Sequence, residues 1–338
     1  MNYQGPAPRS DQPECTGVLL TNLGTPDAPT TADVRRYLKE FLSDPRVVET
    51  PRLIWWLILN GIILRTRPAK SAEAYRQVWT EKGSPLLDIS QRQATALQER
   101  LQQRSEQPIK VALAMRYGNP SIAEGLESLR KANARRIIVL PLYPQYSATT
   151  TASTLDAVSD VLKTWRWLPE LRFISHYQDH PGYIGALAES VREYWQQHGE
   201  PDRLLISFHG IPQDYADAGD PYPEECSTTA QLLADNLGLE AERWSMTFQS
   251  RLGRKEWLKP YTDKTLKQWG SEGTGKVHVI CPGFSADCLE TIEEIGQENR
   301  DYFVQAGGGE YRYIPALNDR KDHIEALTDL VLSNCWRY

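Results

Sequence analysis

The sequence predicts an α/β fold made of two similar, doubly wound domains with parallel sheets. Short apolar runs alternate with amphipathic stretches along the chain, which is the pattern of strands connected by helices. The same plan occurs in both halves of the chain. The length of 338 residues also exceeds that of one ordinary domain. We therefore expect two Rossmann-like domains with the active-site cleft between them.

In the first half, three apolar runs predict buried strands, and each is followed by a helical pattern. The strand segments are GVLLTNLG, KVALAMRYG and RRIIVLPLYPQYS. The helical segments are TTADVRRYLKEFL, SIAEGLESLRKANA and TTTASTLDAVSDVLKTW. Thr30 or Thr31 supplies a hydroxyl suited to capping the first helix.

The second half repeats this order. RLLISFHGIP and KVHVICPGF predict strands, and CSTTAQLLADNLGL and ADCLETIEEIGQENRDYF predict the helices that follow them. Ligands of such sheets bind beyond the carboxyl ends of the strands, where NLGTP and FHGIP both leave a strand as Gly-x-Pro. We expect a disordered leader over residues 1–15, an N-terminal domain over 16–168 and a C-terminal domain over 169–338.

The composition narrows the function classes. A net charge of −6 argues against a nucleic-acid-binding protein, which would present a basic face. The five cysteines are scattered and form no CxxC pair, which favours reduced thiols in the cytoplasm over a disulfide framework. The polar N-terminus lacks the apolar core of a signal peptide.

One segment, residues 51–68, is unusually apolar for this acidic chain. Leu53 to Leu64 consist almost entirely of leucine, isoleucine and tryptophan, and arginines flank the run. A helix that crosses a bilayer needs about 20 apolar residues, and this run has only about 12. The segment is therefore either an internal core helix or an apolar surface.

Two motif matches do not predict a site. The segment from Gly270 to Lys276 matches the first seven positions of a phosphate-binding loop, but Val277 follows it where a hydroxyl is needed. It also precedes a strand instead of opening a helix. His176 and His180 have the spacing of metal ligands on a helix, but Pro181 follows them at once. A strand end and a turn is the preferred interpretation there.

Two other features are better candidates for chemistry. His209 directly follows an apolar run, at the expected ligand-binding edge of a sheet. A single histidine is most often structural, but its pKa near 6.5 suits proton transfer. Glu290, Glu294 and Glu298 follow the next such strand at four-residue intervals. They form either a solvated acidic helix face or a row suited to a divalent cation or to protons.

Seven blocks of sequence, taken in order, resemble the ferrochelatases, the enzymes that insert Fe²⁺ into a porphyrin at the end of haem synthesis. The resemblance extends from Val18 to about Leu332 and implies the same fold of two similar domains. The blocks are NLGTP, YRQVWTEKGSPL, MRYGNPSI, LPLYPQYSATTTAS, FHGIPQDYADAGDPYPEEC, FQSRLGRKEWLKPYTD and CPGFSADCLETIEEIGQEN.

The resemblance implies a role for each residue of the candidate site. His209 matches the catalytic histidine, the candidate acceptor of the pyrrole protons, and Glu290 matches the catalytic glutamate across the porphyrin. His209, Glu290, Glu294 and Glu298 are the implied metal-binding positions, the last two on a helix that is π-type in the family. The implied substrate-binding positions are Asn22, Leu23, Tyr75, Arg76, Arg116, Tyr117, Tyr143, Trp257, Phe284 and Asp287.

Residues 51–68 match the family's lip over the porphyrin cleft. Trp55 and Trp56 suit a flat apolar ring, and the same surface suits the bilayer interface, with Arg65 or Arg67 near anionic headgroups. We expect a cytoplasmic protein, peripherally associated with the inner membrane, that acts as a monomer or a homodimer.

No cofactor is expected beyond the substrate Fe²⁺. In the animal relatives that hold a [2Fe–2S] cluster, one cysteine ligand lies inside the YPQYS block, where this chain has Ala148. The other ligands come from a cysteine-rich C-terminal tail, where this chain has Cys335 alone. Cys288 stands where some relatives have a histidine.

The resemblance predicts protoporphyrin IX and Fe²⁺ as substrates and protohaem as the product. A coproporphyrin ferrochelatase, or another tetrapyrrole metal chelatase, is the alternative within this fold. A non-catalytic carrier of haem or another tetrapyrrole is the alternative from a different class. The apolar lip favours protoporphyrin, because it is the less carboxylated ring.

Overall fold

The computed structural model describes residues 3, 5, 13–251, 253 and 255–336. Most of the predicted leader, residues 1–15, lies outside this part of the chain. The chain forms two compact units. The first holds the chain up to Tyr143, Ser147–His176 and the segment from Leu327 onward, and the second holds Pro144–Tyr146 and Tyr177–Ala326. The first unit extends past residue 168 because a fourth strand, residues 170–173, still pairs with its sheet.

The first unit contains a parallel sheet of four strands in the order β2-β1-β3-β4. The strands are β1 Cys15–Thr25, β2 Ile109–Gly118, β3 Ala134–Pro141 and β4 Glu170–Phe173. β1 is central, and its Val18, Leu19 and Leu20 have no exposed surface. A strand covered on both faces needs apolar residues on both, which explains the continuous apolar run in the sequence.

Helices surround this sheet. Thr30 caps the first of them, because its hydroxyl accepts a hydrogen bond from the Asp33 backbone N–H at 3.2 Å. The α helices are α1 Thr31–Ser43, α2 Arg52–Ile58, α3 Leu64–Val78, α4 Pro85–Arg104, α5 Ile122–Lys131 and α6 Ser153–Leu162. Two π helices, Leu59–Ile63 and Ala148–Ala152, directly precede α3 and α6.

The second unit contains a parallel sheet in the order β6-β5-β7-β8. Its strands are β5 Arg203–His209, β6 Trp244–Gln249, β7 Lys276–Ile280 and β8 Glu310–Tyr313. Its helices are α7 Pro181–His198, α8 Gln213–Asp217, α9 Tyr222–Leu237, the 3₁₀ turn Ala241–Arg243, α10 Thr262–Ser271, the π helix Glu290–Glu298 and α11 Asn299–Gln305. The last helix, α12 Lys321–Ser333, begins in this unit and ends in the first.

The two sheets have the same connection pattern. In each, the first strand in chain order lies between the second and the third, and the fourth lies at the edge beyond the third. The repeat seen in the sequence is therefore a repeat of topology, and the predicted α/β class is confirmed. No helix among the described residues is long and apolar enough to cross a membrane.

A buried histidine lies in the core of the second unit. His278 on β7 has no exposed surface, and neither of its ring nitrogens has a hydrogen-bond partner among the described residues. The Tyr194 ring of α7 meets it edge to face, with 5.4 Å between the ring centroids. Burial, with a smaller effect of Lys276 and Arg312, lowers the pKa of His278 to about 4.

We expect this histidine to make the second unit sensitive to acid. The unfolded chain takes up a proton near pH 6.5, but the folded one does so only near pH 4. The contribution of neutral His278 to the free energy of unfolding is therefore fully present above pH 6.5. It is lost as the pH falls from 6.5 to 4, by about 3 kcal/mol in total. His278→Leu should lack this part of the decline in denaturant unfolding at pH 7.5, 6 and 4.5.

His176→Gln is the control, because it removes a histidine that is not in this core. Wild-type protein and His176→Gln should lose stability in parallel on acidification, and His278→Leu should lose less. An equal loss in all three proteins would mean that burial of His278 is not a cause of the acid sensitivity.

Candidate functional site

His209 is the last residue of β5, at the carboxyl edge of the second sheet. Leu204 to Phe208 before it are buried, so the strand is fixed up to the point where the histidine becomes partly exposed. Its Nδ1 lies 2.7 Å from the Gly210 carbonyl oxygen. A carbonyl only accepts hydrogen bonds, so Nδ1 carries a proton, and in the neutral imidazole Nε2 is the nitrogen that keeps the lone pair. The imidazole is thus oriented to accept a proton at Nε2.

Two aromatic rings flank this imidazole. The Trp257 and Phe284 rings each lie 6.5 Å from it, centroid to centroid, and both are partly exposed. A Cβ at Gly210 would lie 3.0 Å from the Gln249 carbonyl oxygen and 3.2 Å from the Trp257 ring, so a side chain there would crowd both. His209, Trp257 and Phe284, which the sequence placed in one site, are therefore brought together.

Asp287 lies in the loop between β7 and the π helix and is buried. The hydroxyls of Tyr313 and Thr291 donate to its Oδ1 at 2.7 and 3.0 Å, and the Asn318 amide donates to its Oδ2 at 2.7 Å. Asn318 in turn accepts from the Asp287 backbone N–H at 2.9 Å. Asp287 therefore anchors the loop that leads into the π helix.

The π helix Glu290–Glu298 carries the acidic row, as the resemblance implied. A π helix is wider than an α helix, and its i→i+5 bonding is intrinsically rare. Side-chain amides support two of its carbonyls: Gln249 Nε2 donates to the Glu290 oxygen at 3.2 Å, and Asn299 Nδ2 donates to the Glu294 oxygen at 2.8 Å. The widened helix is thus fastened both to β6 and to the helix that follows it.

The three carboxylates of the row differ in environment. Glu290 and Glu294 are partly buried and Glu298 is exposed. The Ser250 hydroxyl donates to Glu294 at 2.5 Å, from a backbone with a φ of 65° that is unusual for serine. Burial raises the pKa of Glu294 to about 7, and the charges of Glu290 and Glu298 act in the same direction. Glu294 therefore exchanges a proton near neutral pH, and the row is not a uniformly solvated face.

In the first unit, Arg116 and Tyr117 share one partner. The Asp44 carboxylate accepts from the Arg116 guanidinium at 2.5 Å, from the Tyr117 hydroxyl at 2.8 Å and from the Ser153 hydroxyl at 2.6 Å. Arg116 Nε also donates to the Ser153 hydroxyl at 2.7 Å. Arg116 is partly buried, and Tyr117 is almost fully buried. The carboxylate holds both side chains in one orientation.

The carboxyl-terminal part of β1 carries Asn22 and Leu23. The Asn22 amide donates to the Ser90 hydroxyl at 3.2 Å, and its oxygen accepts from the Leu23 N–H at 2.8 Å. Gly24 follows with a φ of 111°, and a Cβ there would lie 1.7 Å from the Tyr117 carbonyl oxygen. Only glycine fits where β1 and β2 approach so closely, which accounts for the NLG sequence.

Three further predicted positions are Tyr75, Arg76 and Tyr143. Tyr75 is buried on α3 and meets the Trp79 ring edge to face. Arg76 is exposed and pairs with Glu73 on the same helix. Tyr143, which follows β3 in the first unit, is partly buried.

The lip, residues 51–68, comprises α2, the following π helix and the start of α3. Leu59 and Leu64 face inward and are buried. Trp55 is held, because its indole N–H donates to the Leu42 carbonyl at 2.6 Å. The outer face carries five apolar side chains that are 54% to 75% exposed: Leu53, Ile54, Trp56, Leu57 and Ile62. The alternative of a purely internal core helix is therefore wrong.

The structure agrees with the interpretation of the glycine-rich segment and of the His176–His180 pair as motifs without a site. Gly270 and Ser271 end α10, and Lys276 begins β7, so the glycine-rich segment precedes a strand. His180 is the N-cap residue of α7. Among the residues that the structure describes, no three His, Cys, Asp or Glu side chains converge on a common metal position.

Four residues that organise these sites were not predicted from the sequence. They are Gln249, Ser250, Asp44 and Ser153. Gln249 and Ser250 lie in a block that carries the resemblance, but neutral polar side chains have no spacing signal of their own. Their contacts join segments that are 41 and 44 residues apart, which sequence patterns do not reveal.

Comparisons with known proteins agree with this geometry. The ferrochelatase family model matches residues 15–335. The chain is 63% identical to the ferrochelatase of Thioalkalivibrio sulfidiphilus, over 96% of this chain and 88% of that protein. It is 61% identical to the ferrochelatase of Hydrogenovibrio crunogenus, over 94% of this chain and 85% of that protein. This chain belongs to the ferrochelatase family.

Solved structures agree on the fold. SirB from Bacillus subtilis, solved with Fe³⁺, has a TM-score of 0.53 at 13% identity, with 94% of this chain and 95% of that chain covered. CbiX, described as the terminal enzyme of sirohaem biosynthesis in denitrifying bacteria, has a TM-score of 0.51 at 12% identity, with 95% and 100% covered. At such identities the likeness concerns the fold alone.

Membership of the ferrochelatase family settles the activity class. The chain is an enzyme, a lyase-class metal chelatase that inserts iron into a porphyrin for haem synthesis. The resemblance seen in the sequence is therefore confirmed, and the carrier alternative is disfavoured because the family is a family of enzymes.

The graded environments of the acidic row predict graded effects in this ferrochelatase. Glu290→Gln should lower kcat most, by about 10²-fold, because the resemblance places its charge nearest the reacting centre. Glu294→Gln and Glu298→Gln should mainly raise the KM for the metal and leave porphyrin affinity unchanged. Steady-state kinetics with Fe²⁺ and with Zn²⁺ measure both quantities.

Asp301→Asn is the matched control, because Asp301 is an exposed acid on α11 outside the row. It should leave both constants near their wild-type values. Equal, small effects at all three glutamates and at Asp301 would return the row to a solvated acidic face.

Proposed function

We propose that this ferrochelatase inserts Fe²⁺ into protoporphyrin IX to give protohaem, with His209 as the acceptor of the pyrrole protons. The observation that carries the proposal is the orientation of the imidazole: Nδ1 donates to the Gly210 carbonyl, so Nε2 is the nitrogen that holds the lone pair in the neutral ring. A porphyrin presents two N–H protons that must leave before the metal is bound. Nε2 suits that task at neutral pH.

Glu290 is the proposed second catalytic group. It begins the π helix, and its neighbours Glu294 and Glu298 lead from the partly buried end of the row to the exposed end. Hard divalent cations prefer carboxylate oxygens. We infer that the row passes Fe²⁺, protons or both between solvent and the ring. Successive weak ligands suit a metal that must leave the protein in its product.

The flanking rings of Trp257 and Phe284 are the proposed contacts with the macrocycle. A bound porphyrin must buckle so that its nitrogen lone pairs point out of the ring plane. Contacts with the rest of the ring supply the energy for that distortion. Asn22, Leu23, Tyr75, Arg76, Arg116, Tyr117 and Tyr143 remain proposed substrate-binding positions, and Asp287 is proposed to act on the substrate only through the loop that it anchors.

We expect protoporphyrin to be preferred over coproporphyrin. The lip exposes leucine, isoleucine and tryptophan side chains, which suit the less carboxylated ring. Coproporphyrin remains the alternative substrate. Porphyrin fluorescence falls as iron is inserted, so assays with the two rings side by side decide between them.

The test of His209 uses the same assay. His209→Ala should abolish insertion into both rings, because it removes the proton acceptor, whereas porphyrin binding should persist, because the pocket walls remain. His176→Gln is again the control and should insert metal at the wild-type rate. Turnover of His209→Ala within about tenfold of wild type would refute the assignment, because general-base catalysis contributes about 10²- to 10⁴-fold.

We also propose that the enzyme is a cytoplasmic protein that binds the inner membrane peripherally through the lip. Five exposed apolar side chains on one helical segment, with the exposed Arg65 and Arg67 beside them, suit an anionic bilayer interface. Substrate and product, both apolar, could then be exchanged with the membrane. Its action as a monomer or a homodimer is part of the same proposal.

The two tryptophans of the lip allow a matched test. Trp56→Ser should weaken binding to vesicles that contain anionic lipid and should raise the KM for protoporphyrin, because Trp56 is 59% exposed. Trp55→Phe should instead lower the free energy of unfolding by about 1 kcal/mol through loss of the bond to Leu42, with vesicle binding kept. Unchanged vesicle binding in Trp56→Ser would contradict the membrane role.

We propose that the enzyme has no [2Fe–2S] cluster. Cys226, Cys281 and Cys288 are buried, and burial raises the pKa of each thiol, which disfavours the thiolates that a cluster needs. Cys15 and Cys335 are only partly buried, but two thiolates are too few for such a cluster.

A further inference from the structure

We propose that Gln249 is a positioning residue that sets the placement of His209 relative to Glu290. The inference rests on the proposed roles of those two residues. Gln249 ends β6 and pairs in register with His209, the end of β5. It is 3% exposed, so its side-chain amide must find its partners inside the protein.

The backbone of Gln249 holds the histidine. Its carbonyl accepts a hydrogen bond from the Gly210 N–H at 2.8 Å. The carbonyl of the same Gly210 accepts from His209 Nδ1 at 2.7 Å. Gly210 thus lies between two hydrogen bonds, one that fixes its position and one that orients the imidazole. A shift of Gln249 would therefore turn the ring whose Nε2 is the proposed base.

The side chain of Gln249 holds the glutamate. Its Nε2 donates to the Glu290 carbonyl at 3.2 Å, and its Oε1 accepts from the Ser207 hydroxyl at 2.9 Å and from the Cys281 thiol at 3.5 Å. The amide orientation is fixed, because the Glu290 carbonyl requires a donor. The glutamine therefore links β5, the residue that follows β7 and the first residue of the π helix. The next residue, Ser250, continues the contact with this helix at Glu294.

Both proposed catalytic residues are thus fastened to one buried side chain and its own peptide. Residues that orient catalytic groups in this way act on the transition state more than on binding of the substrate, because a displacement of about 1 Å can cost on the order of 10²-fold in rate. We infer that Gln249 keeps the spacing of His209 and Glu290 fixed while the porphyrin is buckled.

The test replaces Gln249 by an apolar side chain of similar length. Gln249→Met should lower kcat by about 10²-fold and leave porphyrin affinity within about threefold of wild type. At saturating porphyrin, the out-of-plane bands in the resonance Raman spectrum of the bound ring should weaken, because a misplaced pair no longer supports the buckled form. A purely structural role would not change those bands.

Asn299→Leu is the matched control. Asn299 is also buried and also donates an amide N–H to a π-helix carbonyl, that of Glu294, but within the part of the chain that the structure describes it makes no hydrogen bond to the His209 loop. It should lower the melting temperature about as much as Gln249→Met and keep kcat and the Raman bands. Equal losses of kcat in the two variants, or wild-type kcat in Gln249→Met, would overturn the inference.

Two further variants separate a failure of this inference from a failure of the proposed function. Gln249→Glu retains the size and the acceptor oxygen but loses the donor to Glu290, so it should lose kcat as Gln249→Met does, even if the methionine variant fails to fold. His209→Ala is assayed beside it. Full activity of His209→Ala would overturn the proposed function, and with it this inference. Loss of activity in His209→Ala together with full activity in Gln249→Glu would overturn this inference alone.

Discussion

The hydrogen bond between the Gly210 N–H and the Gln249 carbonyl extends the β5–β6 ladder beyond the end of β5, and the site of the second unit depends on it. Parallel strands end at a common edge, so their last residues become neighbours although they are far apart in the chain. Glycine suits this position because it has no Cβ, and a Cβ here would crowd the Gln249 carbonyl oxygen. Its own carbonyl then selects the tautomer of His209. The backbone hydrogen bond of Gly210 thus determines which ring nitrogen of His209 carries the proton in the neutral imidazole.

The π helix needs support from outside, because π-helical hydrogen bonding is intrinsically rare. Two buried amides, from Gln249 and Asn299, donate to its carbonyls, and Asp287 fixes the loop before it through three side-chain donors. The π helix so supported carries acidic side chains at four-residue intervals, from a partly buried position to an exposed one. The neutral residues around the row therefore help to stabilise the π helix that carries the carboxylates.

Burial also divides the ionisable groups by task. Glu294 is shielded enough for its pKa to rise to about 7, where proton exchange is easy, whereas the exposed Glu298 accepts a hydrogen bond from the Tyr302 hydroxyl at 2.6 Å. In the first unit, Asp44 has the reverse behaviour: hydrogen bonds and the charge of Arg116 outweigh burial and lower its pKa. Glu294 can therefore change its charge near neutral pH, whereas Asp44 stays charged and holds Arg116 and Tyr117.

The sequence by itself determined the fold class, the repeat and the catalytic candidates. Central strands are covered on both faces and must be apolar throughout, so β1, β3, β5 and β7 are visible as runs of letters. Three of the four edge strands, β4, β6 and β8, were not predicted, because β4 and β8 have only four residues and β6 is buried mainly in its second half. His209 and the glutamates were found from their place after such runs and from the resemblance to the family. Only the tertiary structure decided which tautomer His209 adopts, that Trp56 is exposed while Trp55 is held, and that Gln249 and Asp44 organise the two sites. These properties depend on contacts between segments that are distant in the chain, and local sequence patterns carry no information about such contacts.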